Sequence, residues 1–139
     1  MKKILIMEDD SRIAAALAIR LERAGYEVQT APNGFDGLKL AMQGRPALIV
    51  MDIWMPVGIG FSVAQRLQSL GLAGIPVIFI TASKLPGLRE AADALGGVAF
   101  FEKPYEPQSL LDAIARQFEA HPDAPLEGTQ TRRSAANAS

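Results

Sequence analysis

Residues 48–56 read LIVMDIWMP: an apolar run that ends on Asp52, with a Met-Pro turn close behind it. An apolar run of this length is the pattern of a strand covered on both faces. Burying an ionised carboxylate without a partner is costly, so Asp52 either stands at an exposed strand end or has company. Which of the two holds depends on what the rest of the chain builds around it.

Similar runs recur on both sides. KKILIM (2–7), ALIVM (47–51), IPVIFI (75–80) and VAFF (98–101) are apolar, whereas YEVQT (26–30) alternates polar and apolar residues. Between them lie segments with helical spacing: SRIAAALAIRLERAG (11–25), NGFDGLKLAMQGRP (33–46), GFSVAQRLQSLG (60–71), LPGLREAADALGG (85–97) and EPQSLLDAIARQF (106–118). Ser11 is the expected N-cap of the first helix and Gly25 its stop, with Ile13, Leu17, Leu21 and Ala24 at helical spacing. The second helix is expected to start near Asn33 and stop at Gly44, and Pro107 is tolerated in a first helical turn.

Strand and helix alternate five times, which predicts an α/β domain with a parallel sheet and right-handed crossovers. Ile4–Met7, Leu48–Met51, Val77–Ile80 and Val98–Phe101 are expected at its centre, the alternating second strand at an edge. That edge position suits a flavodoxin-like, doubly wound (βα)5 sheet of order 2-1-3-4-5, whose ligand crevice opens at the carboxyl ends of strands 1 and 3.

The chain has 139 residues, 49% of them apolar, and a formal net charge of −1. That is the size of one domain with an ample core, and the charge gives no global bias toward nucleic acid or membrane. Residues 1–119 are read as the domain and 120–139, poor in large apolar residues, as a flexible C-terminal tail. The pair Arg132–Arg133 in that tail reads as solvated, and direct nucleic-acid binding by this chain is not expected. With no cysteine there is no disulfide, thiolate or sulfur-bound metal, consistent with a reducing cytoplasm. The single histidine, His121, lies in the tail, so histidine chemistry in the core is not expected. No run approaches a membrane span, and the short apolar stretch after Lys2 and Lys3 passes straight into acids, unlike a secretory leader.

The polar residues at the ends of the apolar runs carry the chemistry. The first strand ends on Glu8, Asp9 and Asp10, the third on Asp52, the fourth on Thr81, and the fifth is succeeded by Lys103 and Pro104. Taken singly, each has a plain structural reading: a solvated turn, a helix cap, a surface lysine. Taken together, four strands of one parallel sheet deliver carboxylates, a hydroxyl and an ammonium to the edge where the crevice opens.

Magnitudes sharpen the point. Carboxylates about 4–5 Å apart repel by roughly 3–4 kcal/mol per pair at an effective dielectric of about 20. Two or three such pairs rival the roughly 5–15 kcal/mol stability of a whole domain. A cation must therefore share the site, and oxygen-only ligands favour a hard divalent ion such as Mg²⁺. A metal, Lys103 and the Thr81 hydroxyl around one carboxylate form a clamp for a transferring phosphoryl group, with Asp52 as nucleophile and acyl phosphate.

ILIMEDD (4–10), MDIWMP (51–56) followed by Gly60, FITA (79–82) and FFEKPY (100–105) together resemble the receiver domain of bacterial two-component response regulators. The resemblance covers roughly residues 2–118. It implies that Asp52 takes phosphate from a sensor histidine kinase or phosphotransfer protein. It implies Mg²⁺ held by Glu8, Asp9, Asp52 and the backbone carbonyl of Trp54. Thr81 and Lys103 would contact the phosphoryl group, the Lys103–Pro104 peptide is commonly cis in the family, and Phe100 matches the switch aromatic, here expected to favour an inward ring. The family's signalling face corresponds to about Leu85–Leu95, Val98–Phe101 and Pro107–Phe118, and would meet a downstream effector or a second copy.

Two positions depart from the family pattern. Ile59 stands where a polar residue is frequent, and with Gly58 it suggests a looser loop. Trp54, two residues past the acceptor, is bulky at a place that influences phosphoryl hydrolysis. The chain is read as a phosphoacceptor that assists its own phosphorylation and dephosphorylation, not as a turnover enzyme. Alternatives are a receiver fragment of a longer DNA-binding regulator or hybrid kinase, and an aspartate-nucleophile phosphatase. The last needs a second aspartate where Trp54 stands.

Overall fold

Apolar runs too short to be stable helices, separated by amphipathic helices, can bury both faces of each strand only by forming a sheet with helices on either side. The computed structural model, which describes residues 1–54 and 60–120, has that form. In chain order the elements are β1 (Lys3–Met7), α1 (Ser11–Arg23), β2 (Glu27–Ala31), α2 (Gly34–Gly44), β3 (Leu48–Asp52), α3 (Gly60–Ser69), β4 (Val77–Thr81), α4 (Leu88–Ala94), β5 (Gly97–Glu102) and α5 (Pro107–Ala120). The strands are parallel and lie in the order β2-β1-β3-β4-β5. This is the flavodoxin-like arrangement expected from the sequence.

Side-chain alternation splits the core in two. Leu5, Met7, Ile49, Met51, Val77 and Phe79 face one way, onto Ala41 of α2, Val63 and Leu67 of α3 and Ala92 of α4. Ile4, Ile6, Leu48, Val50, Ile78 and Ile80 face the other way, onto Leu17 and Leu21 of α1 and Leu110, Ile114 and Phe118 of α5. Each large aliphatic side chain fully removed from water contributes about 1.5–3 kcal/mol, so the three central strands hold the sheet together.

Several local expectations are corrected. The N-cap of α1 is Asp10 rather than Ser11: its Oδ1 accepts hydrogen bonds from the backbone N–H of Arg12 and Ile13, at 3.0 and 3.2 Å. A carboxylate at the positive end of the helix outcompetes the neighbouring hydroxyl. The buried stripe of α1 is Ala14, Leu17 and Leu21, which leaves Ile13 and Ala24 facing solvent. The first helix does stop at Gly25, whose φ of +100° suits glycine. The second starts after Asn33, whose Oδ1 accepts from the Asp36 N–H, and it ends at Gly44, with Arg45 left-handed just before Pro46.

The fourth helix spans only Leu88–Ala94, between a left-handed Gly87 at its start and a left-handed Gly96 just past its end. The run Val98–Phe101 is not central. It lies in the edge strand β5, where Ile78 pairs with Ala99 after Val77 pairs with Gly97. That register shift makes Val98 the extra residue of a bulge and leaves it 44% exposed. Bulges are a common way of protecting an edge from further pairing. The Lys103–Pro104 peptide is cis. Helix α5 runs to Ala120, the first residue of the expected 120–139 tail; the rest of that tail, and the readings of Gly58 and Ile59, fall outside the described residues.

Candidate functional site

Parallel strands all end on the same side, so the register of the sheet decides what meets there. Met7 of β1 pairs with Met51 of β3, and Asp52 pairs with Ile80 of β4. Glu8 and Asp9 therefore leave β1 beside Asp52, the last residue of β3. Thr81 ends β4 opposite Glu102, and its carbonyl accepts a hydrogen bond from the Lys103 backbone N–H at 2.7 Å. Glu8, Asp9, Asp52, Thr81 and Lys103 all reach one edge of the sheet.

The company at Asp52 is, first, a lysine. Lys103 Nζ donates to Asp52 Oδ2 at 2.7 Å and to Glu8 Oε1 at 2.9 Å. The other oxygens are also held: Trp54 N–H donates to Asp52 Oδ1 at 3.0 Å and Asp10 N–H to Glu8 Oε2 at 3.1 Å. Glu8 and Asp52 are 4% and 5% exposed, a degree of burial that carboxylates tolerate only when paired. Asp9 is exposed, yet one oxygen from each of Glu8, Asp9 and Asp52 lies within 4.8 Å of the others.

Three carboxylates face one ammonium, so the cluster stays over-acidic. Burial raises the Glu8 carboxyl above the ordinary glutamate range, although its bonds to Lys103 and Asp10 pull the other way. Burial would lower Lys103, but its contacts with Asp52 and Glu8 outweigh that and raise it. An all-oxygen cluster of this spacing suits a hard divalent cation that keeps some of its water, and Mg²⁺ fits the donor set. Trp54 is placed beside Asp52 by its own N–H bond and is 42% exposed.

Thr81 is fully buried, and its Oγ1 accepts from the Ser83 N–H at 3.0 Å. It does not cap α4, which starts at Leu88. Phe100 is 8% exposed, within the apolar cluster that contains Phe79 and Ala92. Its ring is covered by the Arg89 guanidinium, whose Cζ lies 4.7 Å from the ring centroid. Arg89 is not legible as a partner from the sequence, because its role depends on where the short α4 sits. The double duty of Asp10, capping α1 through its side chain and donating to Glu8 through its backbone, is equally hidden.

Comparison with known proteins agrees with the fold. The family described as the response regulator receiver domain matches residues 4–115. The chain is 38% identical over 120 residues to the DNA-binding dual master transcriptional regulator RpaA of Synechocystis sp., covering 82% of this chain and 48% of that protein. It is 40% identical over 121 residues to the transcriptional regulatory protein AfsQ1 of Streptomyces coelicolor, covering 84% of this chain and 50% of that one. Among solved structures, the chemotaxis response regulator CheY4 of Vibrio cholerae superposes with a TM-score of 0.77 at 30% identity, over 84% of this chain and 98% of that one. A CheY-like receiver domain protein from Methanospirillum hungatei gives 0.83 at 27% identity, over 88% and 97%. The chain spans about half the length of the curated relatives it matches.

Proposed function

Because this chain belongs to the response regulator receiver family, we propose that Asp52 accepts a phosphoryl group from a phosphohistidine on a sensor histidine kinase or phosphotransfer protein. A carboxylate oxygen of Asp52 attacks phosphorus as the phosphorus–nitrogen bond breaks and the imidazole leaves, producing an acyl phosphate on Asp52. Glu8, Asp9, Asp52 and the Trp54 carbonyl would hold Mg²⁺, which neutralises charge on the transferring oxygens. Lys103, already placed at Asp52 Oδ2, moves with little rearrangement onto a phosphoryl oxygen. The Thr81 hydroxyl, whose oxygen accepts from Ser83, keeps its proton to donate to another.

The observation that carries the reading is the single ammonium of Lys103 bonded at once to Glu8 and Asp52, from segments distant in sequence. On this reading Thr81 and Phe100 report the acyl phosphate to α4, β5 and α5, whose outer face meets an effector or a second copy. Incubating the protein with a small acyl phosphate and Mg²⁺ tests it. Intact mass should rise by one phosphoryl group, and neither Asp52→Asn nor protein kept in chelator should gain it. Gel filtration of the same samples shows whether assembly changes.

A second reading keeps the chemistry and places the receiver within a longer DNA-binding regulator. Its support is the half-length match to relatives such as RpaA, which is described as DNA-binding. Recovering the chain from its native source and measuring its intact mass separates the two.

A further inference from the structure

The fourth helix is weakly held. It has seven residues, begins at a left-handed Gly87 with no side-chain cap, and buries one side chain, Ala92. Its far end is seated closely: a Cβ at Gly97 would lie 3.0 Å from the Ala92 carbonyl oxygen and 2.8 Å from the Phe79 ring, so the helix backbone approaches β5 there as only glycine allows. Near the other end Leu88 is half-buried, and the polar tie to β5 is the Arg89 guanidinium over the Phe100 ring. The helix is thus anchored at Ala92 and fastened at its first turn by a contact between a cation and an aromatic face.

That contact opposes one movement in particular. Phe100 turning outward would give up both its apolar pocket beside Phe79 and the guanidinium stacked on it. We propose that Arg89 is a positioning residue that latches Phe100 inward, joining the first turn of α4 to β5 and favouring the state that accepts phosphate. The proposal rests on the reading of Asp52 as acceptor and Phe100 as switch. If inward and outward rings exchange, removing the latch lowers the inward population, and phosphate uptake falls by the same fraction. A cation–aromatic contact at a partly exposed site corresponds to a change of about two- to fivefold in that ratio.

The test uses the full chain and the variants Arg89→Gln and Arg89→Lys, both compatible with an exposed helix position. Two quantities are measured: the NMR shifts and cross-peaks of the Phe100 ring with the Ala92 methyl group, and the rate of phosphate gain from a small acyl phosphate with Mg²⁺. In Arg89→Gln the ring should lose cross-peak intensity, and the rate should fall with the inward population, by at most about two- to fivefold. Arg89→Lys, which keeps a cation, should recover most of both. Ring signals and rate unchanged in Arg89→Gln, or Arg89→Lys no better than Arg89→Gln, would overturn the latch. If the parent gains no phosphate at all, it is the acceptor reading that fails, and the ring signals alone still decide the latch.

Discussion

Gly60 opens α3 directly against the backbone of Asp52: a Cβ at Gly60 would lie 2.7 Å from the Asp52 carbonyl oxygen and 2.8 Å from Ile53 Cα. Neither obstacle is a side chain that can swing away. Gly60→Ala must therefore push α3 off the end of β3, the strand that carries the candidate acceptor. We expect a loss of about 1–3 kcal/mol, as for other overpacked sites, together with slower phosphate gain. Urea unfolding and intact mass on the same variant measure the two effects, and an unchanged midpoint would mean that the close approach is relaxed at no cost.

The charges at the site predict the sign of a second substitution. At an effective dielectric of about 20, the 2.7 Å contact of Lys103 with Asp52 is worth about 6 kcal/mol. Repulsion of Asp52 by Glu8 and by Asp9, each within 4.8 Å, is worth at least about 3.5 kcal/mol apiece. Attraction and repulsion nearly cancel, and what remains is the cost of burying a carboxylate that is 5% exposed. Asp52→Asn should raise the thermal midpoint in chelator by a few degrees. A lowered midpoint would show that Lys103 more than compensates Asp52 and that the crowding argument fails.

The same excess of acid sets the response to metal. A cation that binds the native cluster and not the unfolded chain stabilises in proportion to the logarithm of its concentration. Raising Mg²⁺ should lift the parent's midpoint progressively, each tenfold step above the dissociation constant adding about 1.4 kcal/mol of stability. Asp52→Asn, lacking one ligand charge, should respond at higher Mg²⁺ concentrations. Equal shifts in the two proteins, measured by differential scanning calorimetry, would place the ion elsewhere.

The sheet and the edge that carries the site are readable because a strand buried on both faces has to be apolar throughout. The polar residue that ends such a run therefore marks the edge by contrast: Asp52 after Met51, Thr81 after Ile80. Val98 misleads for the same reason. Its run looks as apolar as the central strands, and a register shift against Val77 and Ile78 leaves no mark on hydrophobic periodicity. Choosing between Asp10 and Ser11 as the cap needs the backbone angles, since both side chains carry a suitable oxygen and stand next to each other. The Arg89–Phe100 contact depends on where a helix with one buried side chain comes to rest, which no local pattern specifies.

Alkaline titration of the metal-free, unphosphorylated protein gives a further prediction. Burial raises both tyrosines above their ordinary value near 10: Tyr26, with Glu119 adding to the effect, and Tyr105, where Lys103 opposes the shift and Glu8 and Asp52 reinforce it. A phenol whose folded value exceeds its unfolded value contributes stability that is complete below about pH 10 and lost as pH rises through the folded value. Tyrosinate absorbance should therefore appear above about pH 10 in the native protein and shift down on unfolding. The variants Tyr26→Phe and Tyr105→Phe assign the two steps. Native titration at the ordinary value would mean that both hydroxyls reach water.

Trp54 yields the last prediction. Its backbone N–H is tied to Asp52 Oδ1 at 3.0 Å, so the residue keeps a fixed place beside the candidate acceptor while its side chain stays exposed. On the proposed chemistry, a hydrolytic water would have to approach an acyl phosphate on Asp52 past whatever stands next to it, and an indole there occupies more of that approach than a small amide does. Trp54→Asn retains the backbone bond and opens the path. Loss of phosphate after removal of donor should be at least about threefold faster in Trp54→Asn, equivalent to roughly 0.7 kcal/mol of barrier. Intact mass followed over time measures it. Equal or slower loss would mean that the indole does not restrict water at Asp52.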